Sequence, residues 1–542
     1  MRFSTRSIVG IPMIVLTLAC VFLLSGLLIH GVPTHAASVP HQTITKGLLT
    51  PSTTVDSADS SATLPRGVRH IHARNSQAPQ SPTIAGSQLT GDSGALLQNF
   101  NGTSSLDSAK TNFGHEFEPP DQGLCVGNGF VVEPVNSAYN IYRTNGTKVA
   151  GPFNVNRLFN DGFIQFTSDP RCYFDKSTNT WFAVILFINS KFTVGRIDLS
   201  VNPSGDPTTP WTTYKINVTD LGNPGCPCLG DQPLLGIDRD NVYISTNEFS
   251  ILGTQFNGAQ IYAISKSELV ALSQSVHFVH FGNLSIGGTI AASVQPAISF
   301  GNPVAEYFMN SLDPNGTFDN RIGVWAMTNR NAVSQGNVPT LSSLVITSEP
   351  YGVPPLAQQR GSSSTLDSGD DRMQQVQYIN GNLWGELTTA VTIPFDAAER
   401  AGAAWFEITP RLNGQQIGGA SIRNQGYVVL KGKYLIYPAV QASSDGTAAM
   451  VMTLSGQKNF PSVVYTILQT GQTSFGPIHL AAAGTGPYFK NSTRWGDYSW
   501  AILSPDGNSF WMATEYIPPK SSQTINGQQN WGTRVIEVSA KS

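Results

Sequence analysis

Three acidic pairs stand out when the chain is read for residues able to do chemistry: Asp231 with Glu248, Asp371 with Glu386, and Asp497 with Glu515. In each pair the Asp precedes an apolar segment and a turn, and the Glu ends the next apolar segment, as in Thr246-Asn247-Glu248-Phe249 and Ala513-Thr514-Glu515-Tyr516. If the two segments form an antiparallel hairpin, the second strand returns to the level where the first began, and the carboxyls gather at one rim. Two carboxyl groups about 5 to 10 Å apart are what glycoside hydrolysis needs. The same oxygens can instead bind a sugar or a cation. Against chemistry stands a plainer role, in which an Asp at a strand start caps a turn by accepting backbone N–H bonds. An active site needs its acid once, so an Asp repeated from unit to unit favours structure.

Around these acids lie groups suited to a ligand. Arg494, Trp495 and Tyr498 surround Asp497, and Arg372 follows Asp371. With Glu248 and Glu515 they form the candidate binding set, since flat rings beside carboxylates suit sugar faces or peptide side chains. Trp181, Trp384 and Trp511 suit packing between sheets. Calcium is the one cofactor the oxygen-rich turns suggest, with Asp313, Asn315 and Asp319 in Asp313-Pro314-Asn315-Gly316-Thr317-Phe318-Asp319 as a weak loop candidate beside an ordinary turn. His277 and His280 are three apart on an expected strand and point to opposite faces, which disfavours a shared metal. No G-x-S-x-G elbow, phosphate-binding P-loop or H-E-x-x-H zinc motif occurs.

The elements that must hold these residues are strands. Of 542 residues only 12% are charged, with 52 Gly, 34 Pro and 10% aromatics, a composition of many short strands joined by turns. A formal net charge of −3 leaves no basic excess for phosphates, so nucleic-acid binding is excluded as a main activity. A unit recurs: a marker residue, an apolar segment, a polar turn and a second apolar segment. Its markers are Asp121, Asp169, Asp231, Gln295, Asp371, Pro438 and Asp497, and further strand-like segments follow most hairpins. Four antiparallel strands per unit, seven times over, predict an all-β, seven-bladed β-propeller. Short helices are expected at Lys266 to Leu272 and Asp396 to Gly402.

The N-terminus reads differently. Arg2 and Arg6 precede an apolar run from Ile8 to Ile29, and Pro33-Thr34-His35-Ala36-Ala37 suits cleavage, so residues 1–37 are expected to be a signal peptide. An uncleaved membrane anchor is the alternative. Residues 38–98, rich in Ser, Thr, Pro and Gln, read as a disordered linker or propeptide, and 99–542 as the propeller. Four cysteines remain after the leader: Cys125, Cys172, Cys226 and Cys228. An even count in an exported chain favours disulfides. Cys125 and Cys172 are expected to join the Cys226-Pro227-Cys228 pair or each other, and a direct Cys226 to Cys228 bond is disfavoured as a small ring.

Pro119-Pro120-Asp121-Gln122-Gly123, Thr246-Asn247-Glu248-Phe249 and Arg494-Trp495-Gly496-Asp497-Tyr498-Ser499 resemble a family of secreted bacterial β-propellers with sialidase-like architecture, mostly without assigned activity. The resemblance covers about Glu118 to Ser539. It implies the fold but transfers no catalytic role. The sialidase Asp-box is only approximated, by Ser504-Pro505-Asp506-Gly507-Asn508-Ser509-Phe510-Trp511, and no arginine triad with a paired Tyr and Glu can be assigned from the sequence. The sequence therefore points to an extracellular binding module for carbohydrate or a cell-surface partner. A glycoside hydrolase using the acidic rim is the alternative, and a structural envelope protein the second alternative. Membrane contact is expected only if the N-terminal segment stays uncleaved.

Overall fold

Antiparallel pairing of successive strands organises nearly the whole chain in the computed structural model, which describes residues 42–52, 80–90, 95–312, 318–489, 494–519 and 529–541. The expected leader at 1–37 lies outside the described residues. One four-strand meander runs through Cys125–Gly127, Phe130–Val135, Ala138–Arg143 and Lys148–Asn154, and the next through Phe166–Asp175, Thr180–Ile188, Gly195–Asn202 and Thr212–Asn217. A third comprises Cys228–Ile237, Asn241–Ser250, Phe256–Ser265 and Val276–Gly282. Gln295–Ser299, Glu306–Ser311, Asp319–Thr328 and Thr340–Tyr351 follow, then Gln375–Ile379, Asn382–Val391, Arg400–Asn413 and Gln416–Val428. Next come Tyr434–Ala442, Ala448–Gly456, Asn459–Leu468 and Ile478–Ala482. The last sheet joins Trp500–Leu503, Ser509–Tyr516 and Gly532–Ser539 to Leu96–Ser104 from the other end of the chain.

Each marker of the repeat lies in or shortly before the first strand of its meander. Three of these first strands touch in parallel, Ile237 opposite Ile298 and Ile298 opposite Gln377, so successive meanders present the same end to one side. Interiors of the meanders are nearly free of charge: Thr180–Ile188, Asn382–Val391 and Tyr434–Ala442 are buried along their whole length. Strands covered on both faces read as continuous apolar runs, and this is the physical origin of the 12% charge.

Two expectations need correction. Segment 38–98 is not uniformly a disordered linker. Thr43–Leu49 adds a fifth strand to the third meander, with Thr43 opposite Gly282 and Leu49 opposite Val276, and Leu89–Thr90 pairs with Ile478 and His479. Both tails satisfy the unpaired N–H and C=O groups that a sheet edge presents. Of the helices, Lys266–Val270 forms, but the stretch from Asp396 runs into the strand Arg400–Asn413. There Asp396 accepts from Arg400 and from the Gly432 N–H, which fixes a turn where a helix was expected. A capped helix at Ser105–Thr111 was not foreseen; Ser104 and Asp107 supply its reciprocal cap.

Candidate functional site

Charged residues concentrate where the first strands begin. Asp121 and Asp169 both adopt left-handed backbone, with φ of 47° and 60°, as does Gln232 at 49°. Short polar side chains tolerate this conformation better than most, and it swings each strand start toward the neighbouring meander. Asp121 thereby accepts the Asp497 N–H at 2.8 Å and the Asn136 amide at 2.7 Å, while the Asn136 carbonyl accepts the Asp169 N–H at 2.9 Å. One asparagine thus bridges the first two markers, and one aspartate ties the first marker to the last.

Asp121 and Asp169 also share a side-chain hydrogen bond. Burial, with Asp231 and Asp497 nearby, pushes the Asp169 carboxyl up to about 7. Burial, with Asp497 and Asp169 nearby, holds Asp121 well above the ordinary carboxylate range. The pair holds a proton near neutral pH, which makes it a potential general acid.

Three guanidinium groups accompany the acids. Arg494 pairs with Asp497 and lies 3.6 Å from Asp367. Arg372 grips Asp370 with two bonds of 2.7 and 2.6 Å and donates to Gln232. Arg171 sits beneath, 1% exposed, its guanidinium 3.1 Å from the centre of the Tyr498 ring and 4.8 Å from that of Trp500. Among the described residues none of its nitrogens has a hydrogen-bond partner. Burial pulls it below the usual guanidinium range, while Tyr498, Asp169, Asp121 and Asp497 work in the opposite direction. Above this floor the side chains of Arg494 and Asp497 are about one third exposed, at 31% and 32%.

Of the candidates read from sequence, Asp231, Arg372, Arg494 and Asp497 come together here. Others do not. Asp231 lies opposite Asn247, and Glu248 opposite Gly230, so alternation along the strand sends Asp231 and Glu248 to opposite faces. Glu386 is fully buried opposite Gln375 and Trp405, and Asp371 is buried as well. Glu515 is 2% exposed behind Gly496, where a Cβ would come within 2.4 Å of its carboxylate. Burial drives both Glu386 and Glu515 well above the usual range. Paired carboxylates at an open rim are therefore replaced by buried glutamates under a charged surface. Trp495 and Tyr498, expected as exposed rings, are both 1% exposed and pack in the interior.

Arg171, Asp367 and Asp370 were missed. Asp-x-Arg recurs in Asp169-Pro170-Arg171 and Asp370-Asp371-Arg372, a signal for Arg171 and Asp370 but not for Asp367. Of the calcium-loop candidates, Asp313 and Asn315 lie outside the described residues, and the Asp319 carboxylate accepts from Arg321 at 3.0 and 2.6 Å. At the strand starts, Arg372 holds the Asp370 carboxylate and Arg494 that of Asp497.

Glu248 belongs to a second cluster. Its Oε1 accepts from Asn223 at 2.8 Å and Asn257 at 2.9 Å, and its carboxyl shares a hydrogen bond with Asp220. Burial, aided by Asp220, pushes it up to about 7. Beside it the cysteines pair as Cys125–Cys172 and Cys226–Cys228. The first joins neighbouring meanders across 5.5 Å between Cα atoms. The second overturns the expectation against a direct bond. A turn in which the Cys226 N–H bonds the Asn223 carbonyl folds Cys226 back, to 4.4 Å between Cα atoms, which a disulfide can span.

No protein-family model and no curated protein matches the chain. Among solved structures, it is similar to the Fusarium graminearum α-L-arabinofuranosidase Arb93A, at 10% identity over 82% of this chain and 98% of that one, with a TM-score of 0.33. A phage phi92 endosialidase gives 10% identity, 84% and 69% coverage and a TM-score of 0.35. A Trypanosoma rangeli sialidase bound to sialic acid gives 10% identity, 74% and 57% coverage and a TM-score of 0.33. Likenesses this distant carry no weight for activity.

Proposed function

We propose that the chain is an exported seven-bladed propeller that binds carbohydrate, on a cell surface or free, through the charged face at its strand starts. Successive four-strand meanders, first strands in parallel contact and a last sheet completed by Leu96–Ser104 support seven blades closed into a ring. Two disulfides support an oxidising compartment. Among the described residues no helix is long and apolar enough to cross a membrane.

The observation that carries the binding role is the array of Arg372, Arg494, Asp231, Asp367 and Asp497 over the unpaired Arg171. Bidentate acids and guanidinium groups on fixed strand starts match the vicinal hydroxyls of a sugar, donor against acceptor. Their mutual ion pairs hold them in place before a ligand arrives. A glycoside hydrolase is the second reading, favoured by the proton shared between Asp121 and Asp169. Both carboxyls are buried, at 1% and 7% exposure, and this favours binding over turnover.

Glycan arrays and chromogenic glycosides distinguish the two. Binding lost on Arg494→Ala without turnover by the parent protein upholds the first reading. Hydrolysis abolished by Asp169→Asn establishes the second. Undiminished glycan binding by the double variant Arg494→Ala, Asp497→Ala refutes the assigned face.

A further inference from the structure

The cluster around Glu248 is separate from the proposed binding face, and its chemistry does not depend on that proposal. Cys226 is partly exposed and Cys228 buried, so of the two residues of the disulfide Cys226 is the one nearer solvent. The Asn257 amide lies 3.7 Å from the Cys226 sulfur and 3.6 Å from that of Cys228. Glu248 Oε1 is 3.8 Å from the Cys226 sulfur. A cavity of about 450 Å³ opens alongside, lined by Thr193, Val194, Asn217, Thr219, Asp220 and Leu221. Leu221, 74% exposed, and Leu252, 72% exposed, flank this region; the Ile251 N–H bonds the Pro227 carbonyl at 2.9 Å and fixes Leu252 close by.

A structural staple requires none of this. Cys125–Cys172 shows what a staple looks like: both residues are 0% exposed among apolar side chains, with the Val132 carbonyl 3.7 and 3.8 Å from their sulfurs. We infer that Cys226–Cys228 is a thiol–disulfide exchange site that accepts electrons from an exposed cysteine pair of a peptide or protein, with Asn257 and Glu248 serving the two sulfurs.

The exchange is balanced as follows. A substrate thiolate attacks the Cys226 sulfur; a mixed disulfide forms, the Cys226–Cys228 bond breaks, and its electron pair leaves on Cys228. Asn257 donates to the sulfur on which this charge appears, and the cavity beside Asp220 admits the incoming chain. The second substrate thiol, once deprotonated, attacks the substrate sulfur of the mixed disulfide and releases Cys226. The substrate dithiol has lost two electrons and become a disulfide, and both cysteines take up the protons it gave up. Glu248 and Asp220, sharing a hydrogen bond beside Cys226, supply the nearest acceptor and donor for that transfer. A second disulfide compound, exchanging in the reverse direction, restores Cys226–Cys228.

The full chain in glutathione buffers of graded ratio, followed by alkylation and peptide mass spectrometry, tests the inference without any variant. Cys226–Cys228 should open while Cys125–Cys172 stays closed. Joint resistance of both disulfides, or their opening together, overturns the assignment. Cys228→Ser, given the symmetric disulfide of a cysteine peptide with apolar flanks, should form a mixed disulfide on Cys226 with release of one peptide thiol, and Cys226→Ser should form none on the buried Cys228. Asn257→Ala should slow exchange about tenfold, the loss of one hydrogen bond to a charged sulfur. Faster exchange with the apolar peptide than with glutathione upholds a peptide substrate. The reverse order overturns that substrate class in favour of a small thiol, and failure of Cys228→Ser to exchange with either the peptide disulfide or oxidised glutathione overturns the exchange itself.

Discussion

Replacing Asp169 by Asn should make the protein more stable at pH 8 and leave it nearly unchanged at pH 4. Burial, with Asp231 and Asp497 close by, pushes the folded-state carboxyl up to about 7 from an ordinary value of 3.8. Below pH 3.8 the group is protonated in both states and contributes no difference. As pH rises from there toward 7, the unfolded chain releases the proton and the folded chain keeps it, so stability falls by about 1.4 kcal/mol per pH unit. Over this window the loss sums to about 4 kcal/mol. Asparagine has nearly the same shape, can accept from the Asp121 carboxyl through its Oδ1 as Asp169 does, and has no charge to desolvate. Chemical denaturation of both proteins at pH 4 and pH 8 measures the difference, and the comparison cancels other buried acids such as Glu133, also pushed up to about 7. An equal stability gap at the two pH values would refute the assignment of a shared proton to this pair.

Gly496→Ala should cost about 3 kcal/mol, since φ of 42° disfavours any L side chain and the new methyl meets the Glu515 carboxylate at 2.4 Å; adding Glu515→Ala should recover the contact part, measurable as coupling in a double-variant cycle. Lys266→Met should destabilise by about 3 kcal/mol, because the buried ammonium lies 2.9 Å from Asp175 and, against the effect of burial, holds that carboxyl below its usual range. Deleting residues 42–52 should speed hydrogen exchange at Val276–Gly282, whose outer partner is Thr43–Leu49, while leaving glycan binding intact; unchanged exchange there would show that the added strand does not form in solution.

Much of the fold was legible because its signals are local. Alternating apolar segments and Gly, Asn or Asp turns marked each hairpin, and markers such as Asp169, Asp231 and Pro438 fall within first strands. The tails were misread for a physical reason: Thr43–Leu49 becomes a strand by pairing with an edge more than two hundred residues away, and nothing in its own composition announces that partner.

The candidate site divides along the same line. That acids and arginines recur at strand starts is a property of sequence alone, as are the low charge, the cysteine count and the expected leader. Which of them meet was decided by register and backbone handedness. A single step along the strand separates Asp231 from Glu248, left-handed turns at Asp121 and Asp169 bring two acids close enough to share a proton, and the turn at Asn223 brings Cys226 to Cys228. Side-chain direction reverses with every residue of a strand, so an offset too small to notice in a repeat determines whether a carboxyl joins a charged surface or is buried beneath it.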